Sequence, residues 1–202
     1  MKYLSLVEQR APVTFPSFAA ERVYMLPFKQ AEGLPRELER WQPTVDAMLD
    51  GVRTFEPIYL MIDQSIVEAG NAQRRPGVHI DGYWQPDVRA HGGGHLPAPR
   101  PSHGAGRHRS GGTHWTSASF DAPEAILLAS SVTAARALSG VFDGPIGEGG
   151  DCSHLTFEDL SSVPLVADYT YAGNVTMLHE SLPVDQRCER TLVRLNVPGH
   201  VF

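Results

Sequence analysis

The chain has 202 residues, of which 42% are hydrophobic and 20% are charged, and its formal net charge is -6. This length and apolar content predict one substantial domain over residues 1–202. The acidic balance, with a pI of about 5.8, disfavours a general binder of nucleic acid or of membrane surfaces, because such proteins usually carry excess positive charge.

The N-terminal segment and the two cysteines bear on the compartment. Residues 1–15 contain a short apolar stretch that Glu8 and Arg10 interrupt, so no signal-peptide core is predicted there, and no run approaches the length of a membrane span. Cys152 and Cys188 are too few for a disulfide framework. These features predict a soluble cytoplasmic protein without a membrane partner, although a component of a virus particle would share them.

The first third of the chain predicts two strands around a helical segment. Residues 21–28 are rich in aromatic and β-branched residues and predict one strand, and residues 56–67 predict a longer one. Between them, Pro35 suits a first helical turn and Pro43 is expected to divide the helical segment. Its apolar stripe consists of Leu38, Trp41, Val45, Met48 and Leu49. One or two helices are therefore expected to pack on a sheet.

The stretch GVHIDGYW, residues 77–84, places a histidine and an aspartate two residues apart in a predicted strand. Because strand side chains alternate between faces, His79 and Asp81 point the same way while Val78 and Ile80 point the other way. A solvent-facing strand edge accounts for such a pair as readily as a functional site does.

Residues 85–114 predict a long flexible loop dominated by Gly, Pro, His and Arg. The loop contains the five histidines His91, His95, His103, His108 and His114. A metal site built from them is disfavoured, because a glycine-rich flexible segment does not hold ligands in fixed geometry. A substrate lid and an assembly arm are both compatible with this composition.

Strands dominate the rest of the chain. The predicted strands lie within residues 124–132, 163–171, 173–184 and 190–198, and the connections between them are short. Strands without crossover helices are typical of an antiparallel sandwich or barrel. The sequence therefore predicts a mainly β protein.

His179 and the arginines that follow it complete the candidate site. The short connection DQRCE separates the strand of His179 from the next strand, so the two strands are expected to be antiparallel neighbours. Alternation places Arg190, Leu192 and Arg194 on one face of that next strand. An arginine is therefore expected beside the histidine.

The pattern His79-x-Asp81, a distant His179 preceded by GNVTML, and Arg190 eleven residues later resembles the Fe(II)- and 2-oxoglutarate-dependent dioxygenases. The resemblance covers roughly residues 74–198. It implies a double-stranded β-helix, a jelly roll of the cupin-like type. It also implies Fe(II) bound by the two histidines and the aspartate, with 2-oxoglutarate and O₂ as cosubstrates. The core barrel is expected over about residues 56–198.

The residue types suit this chemistry. Two imidazoles and a carboxylate on one face of an octahedral Fe(II) leave three positions open, two for the chelating cosubstrate and one for O₂. The far carboxylate of 2-oxoglutarate requires a planar cationic fork, for which Arg190 is the preferred candidate and Arg194 the second. Tyr59, Tyr83 and Trp84 are candidates for the substrate pocket.

The resulting hypothesis is an oxygenase that hydroxylates a small molecule or a protein group, with a nucleic-acid group less favoured. Halogenation is disfavoured, because halogenases of this family lack the carboxylate ligand that Asp81 supplies. Two alternatives stay open. One is a non-catalytic binding or structural protein on the same barrel, such as part of a viral assembly, and the other is a cupin-like metalloenzyme without a cosubstrate.

Overall fold

A computed structural model describes residues 2–81, 124–147 and 150–200 of the chain. Within these ranges the elements in chain order are β1 (Lys2–Ser5), β2 (Val7–Pro12), β3 (Arg22–Phe28), a 3-10 helix (Arg36–Trp41), α1 (Gln42–Met48), β4 (Ile58–Val67), β5 (Glu124–Ser130), β6 (Ala135–Asp143), β7 (Ser161–Pro164), β8 (Tyr169–Asn174), β9 (Leu178–Ser181) and β10 (Cys188–Pro198). The predicted loop 85–114, Tyr83 and Trp84 lie outside the described residues. Neither helix in the described ranges has the length and apolar character needed to cross a membrane.

The larger of two sheets has the strand order β2-β8-β5-β10-β4-β3, and all its pairings are antiparallel. Strands were predicted for β3, β4, β5 and β10, and these four predictions are confirmed. β10 lies at the centre of the sheet, where it pairs with β4 on one side and with β5 on the other. This central position fixes the direction of every side chain on β10.

The smaller sheet has β6 at its centre, paired with β1, β7 and β9. β9 carries His179, whereas β10 carries Arg190 and belongs to the larger sheet. The prediction that these two strands are antiparallel neighbours is therefore wrong. Their short connection crosses from one sheet to the other and does not form a tight hairpin turn. Val184, which lies in this connection, packs against Val67 and Ala134.

One face of the larger sheet packs against the helical segment. Residues from β4, β5 and β10 form a core there with Leu38, Trp41, Val45 and Met48. Trp41 is fully buried where the 3-10 helix meets α1, and its indole N–H donates to Glu21 Oε2 at 2.8 Å. A proline at the start of α1 confirms the predicted division of the helical segment.

The opposite face of the larger sheet packs on the smaller sheet. Ile126 and Leu128 of β5 and Tyr171 of β8 contact Ala137 of β6 and Met177, which precedes β9. The described chain is thus a mainly β structure of two antiparallel sheets in the manner of a sandwich, which confirms the predicted fold class at this level. The space between the two sheets holds the candidate site.

Candidate metal centre

His79, Asp81 and His179 converge between the two sheets, although 98 residues separate Asp81 from His179. One possible ligand atom from each side chain lies within 4.8 Å of the other two. His179 Nε2 is 3.1 Å from Asp81 Oδ2, and the two imidazole centroids are 4.5 Å apart. The three residues are only 6–7% exposed. A solvent-facing strand edge therefore does not account for the His-x-Asp pair.

Backbone hydrogen bonds fix the His79 segment beside β9. The His79 N–H donates to His179 O, and the His179 N–H donates to His79 O, both at 3.0 Å. On the other side, the Ile80 N–H donates to Gly150 O at 3.0 Å. A Cβ at Gly150 would collide with the Ile80 carbonyl oxygen, and its φ of +78° also favours glycine. Alternation then turns Ile80 into the core and Asp81 towards the site with His79, as predicted.

Backbone carbonyl groups hold both imidazoles through their Nδ1 atoms. His79 Nδ1 lies 2.8 Å from Gly77 O, and His179 Nδ1 lies 3.0 Å from Met177 O. A carbonyl oxygen only accepts hydrogen bonds, so each Nδ1 carries a proton and donates it. Each Nε2 is therefore the nitrogen left to face a metal ion, and at His179 such an ion would displace the proton shared with the Asp81 carboxylate, 3.1 Å away.

Burial and neighbouring charges set the protonation of the other ligand candidates. Burial, helped by the nearby His179, lowers the pKa of His79 from 6.5 to about 4, so this ring is neutral at pH 7. Burial alone would raise the pKa of Asp81, but Arg194 and His179 lower it well below its usual value. A neutral imidazole and an ionised carboxylate are the forms that bind a divalent metal.

Two arginines of β10 reach the same space but have different partners. Arg194 forms an ion pair with Asp81 through Nη1 and Oδ2. Arg190 is fully buried, and its Nε and Nη1 donate to Ser130 Oγ and Ser181 Oγ, each at 3.1 Å. In the described part of the chain Arg190 makes no ion pair, and its Nη2 has no hydrogen-bond partner. Burial lowers the pKa of Arg190 from its ordinary value.

A cavity of about 390 Å³ connects these groups. The three ligand candidates and both arginines line it, and much of the remaining wall is apolar, including Leu128, Leu165, Tyr171 and Leu192. Tyr59, a predicted substrate-pocket residue, does not belong to the wall formed by the described residues. Its side chain is buried against Met25 instead.

A scan of protein-family models, a search of curated proteins and a search of solved structures find no match to the chain.

Three residues of the site were not predicted from the sequence. Ser181 lies two residues after His179 on β9, so alternation alone could have placed it on the same face. Ser130 and Met25 carry no comparable local signal, because each meets its arginine only through the packing of separate strands. The contacts of Arg190 with Ser130 and of Arg194 with Met25 therefore depend on the fold.

Proposed function

We propose that the chain is an Fe(II)- and 2-oxoglutarate-dependent oxygenase built on a double-stranded β-helix. One observation carries the proposal: the donor set of His79, Asp81 and His179 lines the same buried cavity as the cation of Arg190, which has no ion-pair partner among the described residues. A metal site alone serves many functions. A metal site beside a buried guanidinium suits a ligand that chelates the metal at one end and carries an anion at the other.

The donor set supports Fe(II) as the metal. Two histidines and one carboxylate are the protein ligands typical of non-haem iron oxygenases, which leave the remaining coordination positions open. His179 Nε2 lies 3.1 Å from the Asp81 carboxylate, so these two groups can reach one ion.

Arg190 supports 2-oxoglutarate as the second ligand. A guanidinium has five N–H donors, and the two serines accept from only two of them. The donors left on Nη1 and Nη2 suit a carboxylate bound through two parallel hydrogen bonds. Ser181, which anchors Arg190, lies about 7 Å along β9 from His179. An extended five-carbon dicarboxylate, with about 5 Å between its terminal carbons, matches this separation.

When bound, Fe(II) supplies O₂ activation coupled to oxidative decarboxylation of 2-oxoglutarate to succinate and CO₂, which drives hydroxylation of a substrate C–H bond. The side chains of the protein orient the reactants. Arg190, braced by Ser130 and Ser181, fixes the far carboxylate and so directs the keto acid end towards the ligand side chains. The apolar wall, which includes Leu128 and Leu192, limits the access of water. The proposed substrate is a small molecule or a protein group.

An anaerobic titration tests the proposal. Adding Fe(II) and then 2-oxoglutarate to the metal-free protein is expected to produce a weak visible charge-transfer band. Admitting O₂ is then expected to form succinate slowly even without an added substrate, and His79→Ala and Asp81→Ala are expected to abolish both signals. Metal binding without 2-oxoglutarate affinity would instead indicate a cupin-like metalloprotein. Absence of metal binding would favour a non-catalytic barrel.

A further inference from the structure

Arg194 differs from Arg190 in being bound to a candidate metal ligand. It lies on β10 opposite Met61 of β4 and Leu128 of β5, and its side chain extends from the larger sheet towards Asp81. The side chains of Arg194 and Asp81 are 7% and 6% exposed, so water contributes little to the solvation of either charge. Each charge therefore depends on the other.

The guanidinium of Arg194 is held on a second side by Met25. Arg194 Nη2 lies 3.3 Å from Met25 Sδ, and Met25 is only 2% exposed. The pairing of β3 with β4 shifts register between Val23 and Leu26, and within this bulge Met25 has a φ of +48°. Bulges redirect side chains and are common beside functional sites. This unusual backbone conformation places a sulfur atom behind the guanidinium.

We propose that Arg194 is a positioning residue of the metal centre, which orients the Asp81 carboxylate, with Met25 as its support, and does not bind the cosubstrate. The inference rests on the proposed function in so far as Asp81 is a metal ligand. It assigns different roles to the two arginines of β10. Arg190 has N–H donors that the two serines do not use, and it binds the far carboxylate of 2-oxoglutarate. Arg194 is already paired with the carboxylate of Asp81.

The orientation of Asp81 matters because a carboxylate can bind a metal through one oxygen or through two. A guanidinium on Oδ2 uses part of the lone-pair capacity of the group and fixes its plane. One-oxygen binding keeps open the coordination positions that a chelating cosubstrate and O₂ require. Partners of this kind behind a metal ligand typically change metal affinity or activity by about 10-fold to 100-fold when they are removed.

Charge repulsion between Arg194 and a bound metal ion would have the opposite effect on metal affinity. A guanidinium close to a divalent cation repels it, so if charge alone decided the outcome, removing Arg194 would raise the metal affinity. If the orientation of Asp81 decides, removing Arg194 lowers the affinity. The two effects have opposite signs, so a metal titration separates them.

The experiment is a titration of the metal-free protein with Mn(II) alone, followed by 2-oxoglutarate at saturating Mn(II). Arg194→Met is expected to weaken Mn(II) binding by about 10-fold to 100-fold, and Arg194→Lys by roughly 10-fold. The control is Arg136→Met, which removes the ion pair with Glu180 next to His179 and leaves Asp81 untouched. It is expected to keep wild-type Mn(II) affinity. Once Mn(II) is saturating, 2-oxoglutarate affinity is expected to stay within about 3-fold of wild type in the Arg194 variants.

Unchanged or tighter Mn(II) binding by the Arg194 variants would overturn the inference, and so would a large loss of 2-oxoglutarate affinity at full Mn(II) occupancy. If circular dichroism shows that Arg194→Met does not fold, the lysine variant decides by the same criteria. A double-mutant cycle adds a readout that a merely structural role would not move. In an Asp81→Asn background, Arg194→Met is expected to cause no further loss of Mn(II) affinity, and a full further loss would contradict action through Asp81.

The two proposals fail in distinguishable ways. A wild-type protein that binds Mn(II) but not 2-oxoglutarate would refute the proposed function and leave the role of Arg194 supported by the metal titration. A wild-type protein that binds both ligands, with Arg194→Met at wild-type Mn(II) affinity, would refute only the role of Arg194. A wild-type protein without Mn(II) affinity would refute both.

Discussion

Replacing Arg190 with methionine is expected to remove 2-oxoglutarate binding while leaving the metal site intact. In the structure two guanidinium N–H groups donate to Ser130 and Ser181, and the Nη2 donors are unpaired among the described residues. Two charge-assisted hydrogen bonds to a carboxylate contribute about 1.5 to 3 kcal/mol each. Their loss amounts to about 3 to 6 kcal/mol, or about two to four orders of magnitude in affinity at 1.4 kcal/mol per decade.

The assay is an anaerobic equilibrium titration of 2-oxoglutarate into the Fe(II)-loaded protein, followed through the charge-transfer band. Arg190→Lys keeps the charge but offers a point donor in place of a planar fork, so an intermediate affinity is expected. Arg187→Met is the matched control. Arg187 lies three residues away and pairs with Glu68 where both side chains are 61% exposed, so its removal is expected to leave the affinity unchanged.

A stability measurement separates a binding role for Arg190 from a structural one. Arg190 is fully buried and forms no ion pair in the part of the chain that the structure describes. Such a cation destabilises the metal-free protein, and an apolar side chain of similar length removes that cost. Arg190→Met is therefore expected to keep or raise the thermal unfolding temperature of the metal-free protein. If Arg190→Met and the wild-type protein bind 2-oxoglutarate with affinities within about threefold of each other, at equal Fe(II) affinity, Arg190 does not bind the cosubstrate.

Two further predictions concern protonation. The pKa of His79 is about 4 in the folded chain against 6.5 for the free side chain. As the pH falls, the imidazole is therefore protonated in the unfolded state before it is protonated in the folded state. The free energy of unfolding of the metal-free protein is then expected to fall by up to roughly 3 kcal/mol between pH 6.5 and pH 4. Asp81, whose pKa is lowered, adds to this loss only below its ordinary value of 3.8. Urea titrations should show a shallower pH dependence for His79→Gln, and equal slopes would contradict the prediction. Cys152 is fully buried, and burial raises its pKa to about 12, whereas Cys188 is only partly buried. A thiol reagent at pH 8 is expected to label Cys188 in the folded protein and Cys152 only after unfolding, as mass spectrometry would show, and early labelling of Cys152 would disprove its burial.

Strands with strong local signals could be predicted, and strands that depend on distant partners could not. β5 is buried along its whole length and has a continuous apolar run, which marks it without reference to the rest of the chain. β1 and β2 are short, and their partners lie far away in sequence, since Tyr3 pairs with Phe142 and Glu8 with Ala172. The residues within and around β1 and β2 carry no signal that predicts these distant pairings.

The candidate site was predictable in its residues but not in the route by which they meet. Alternation places His79 and Asp81 on one face, and the structure agrees. The connection DQRCE has five residues, a length typical of a hairpin loop, and for this reason an arginine is expected from the sequence beside His179 in the same sheet. The arginines come instead from the facing sheet. The ion pair of Arg194 with Asp81 depends on that crossing.

The position of β10 between two partners has a consequence for how this protein can change in evolution. One face of the strand presents Arg190 and Arg194 to the cavity, and the other presents Val193 and Leu195 to the helix-side core. A single residue inserted after Cys188 would exchange the two faces of the strand. Both guanidinium groups would then point into the apolar core, and aliphatic side chains would point towards the metal ligands. From Leu192 to Asn196 the strand is paired with β4 on one side and with β5 on the other, so an extra residue in that part has no free edge at which to loop out. Substitutions can accumulate along β10, but insertions and deletions within it are expected to be eliminated.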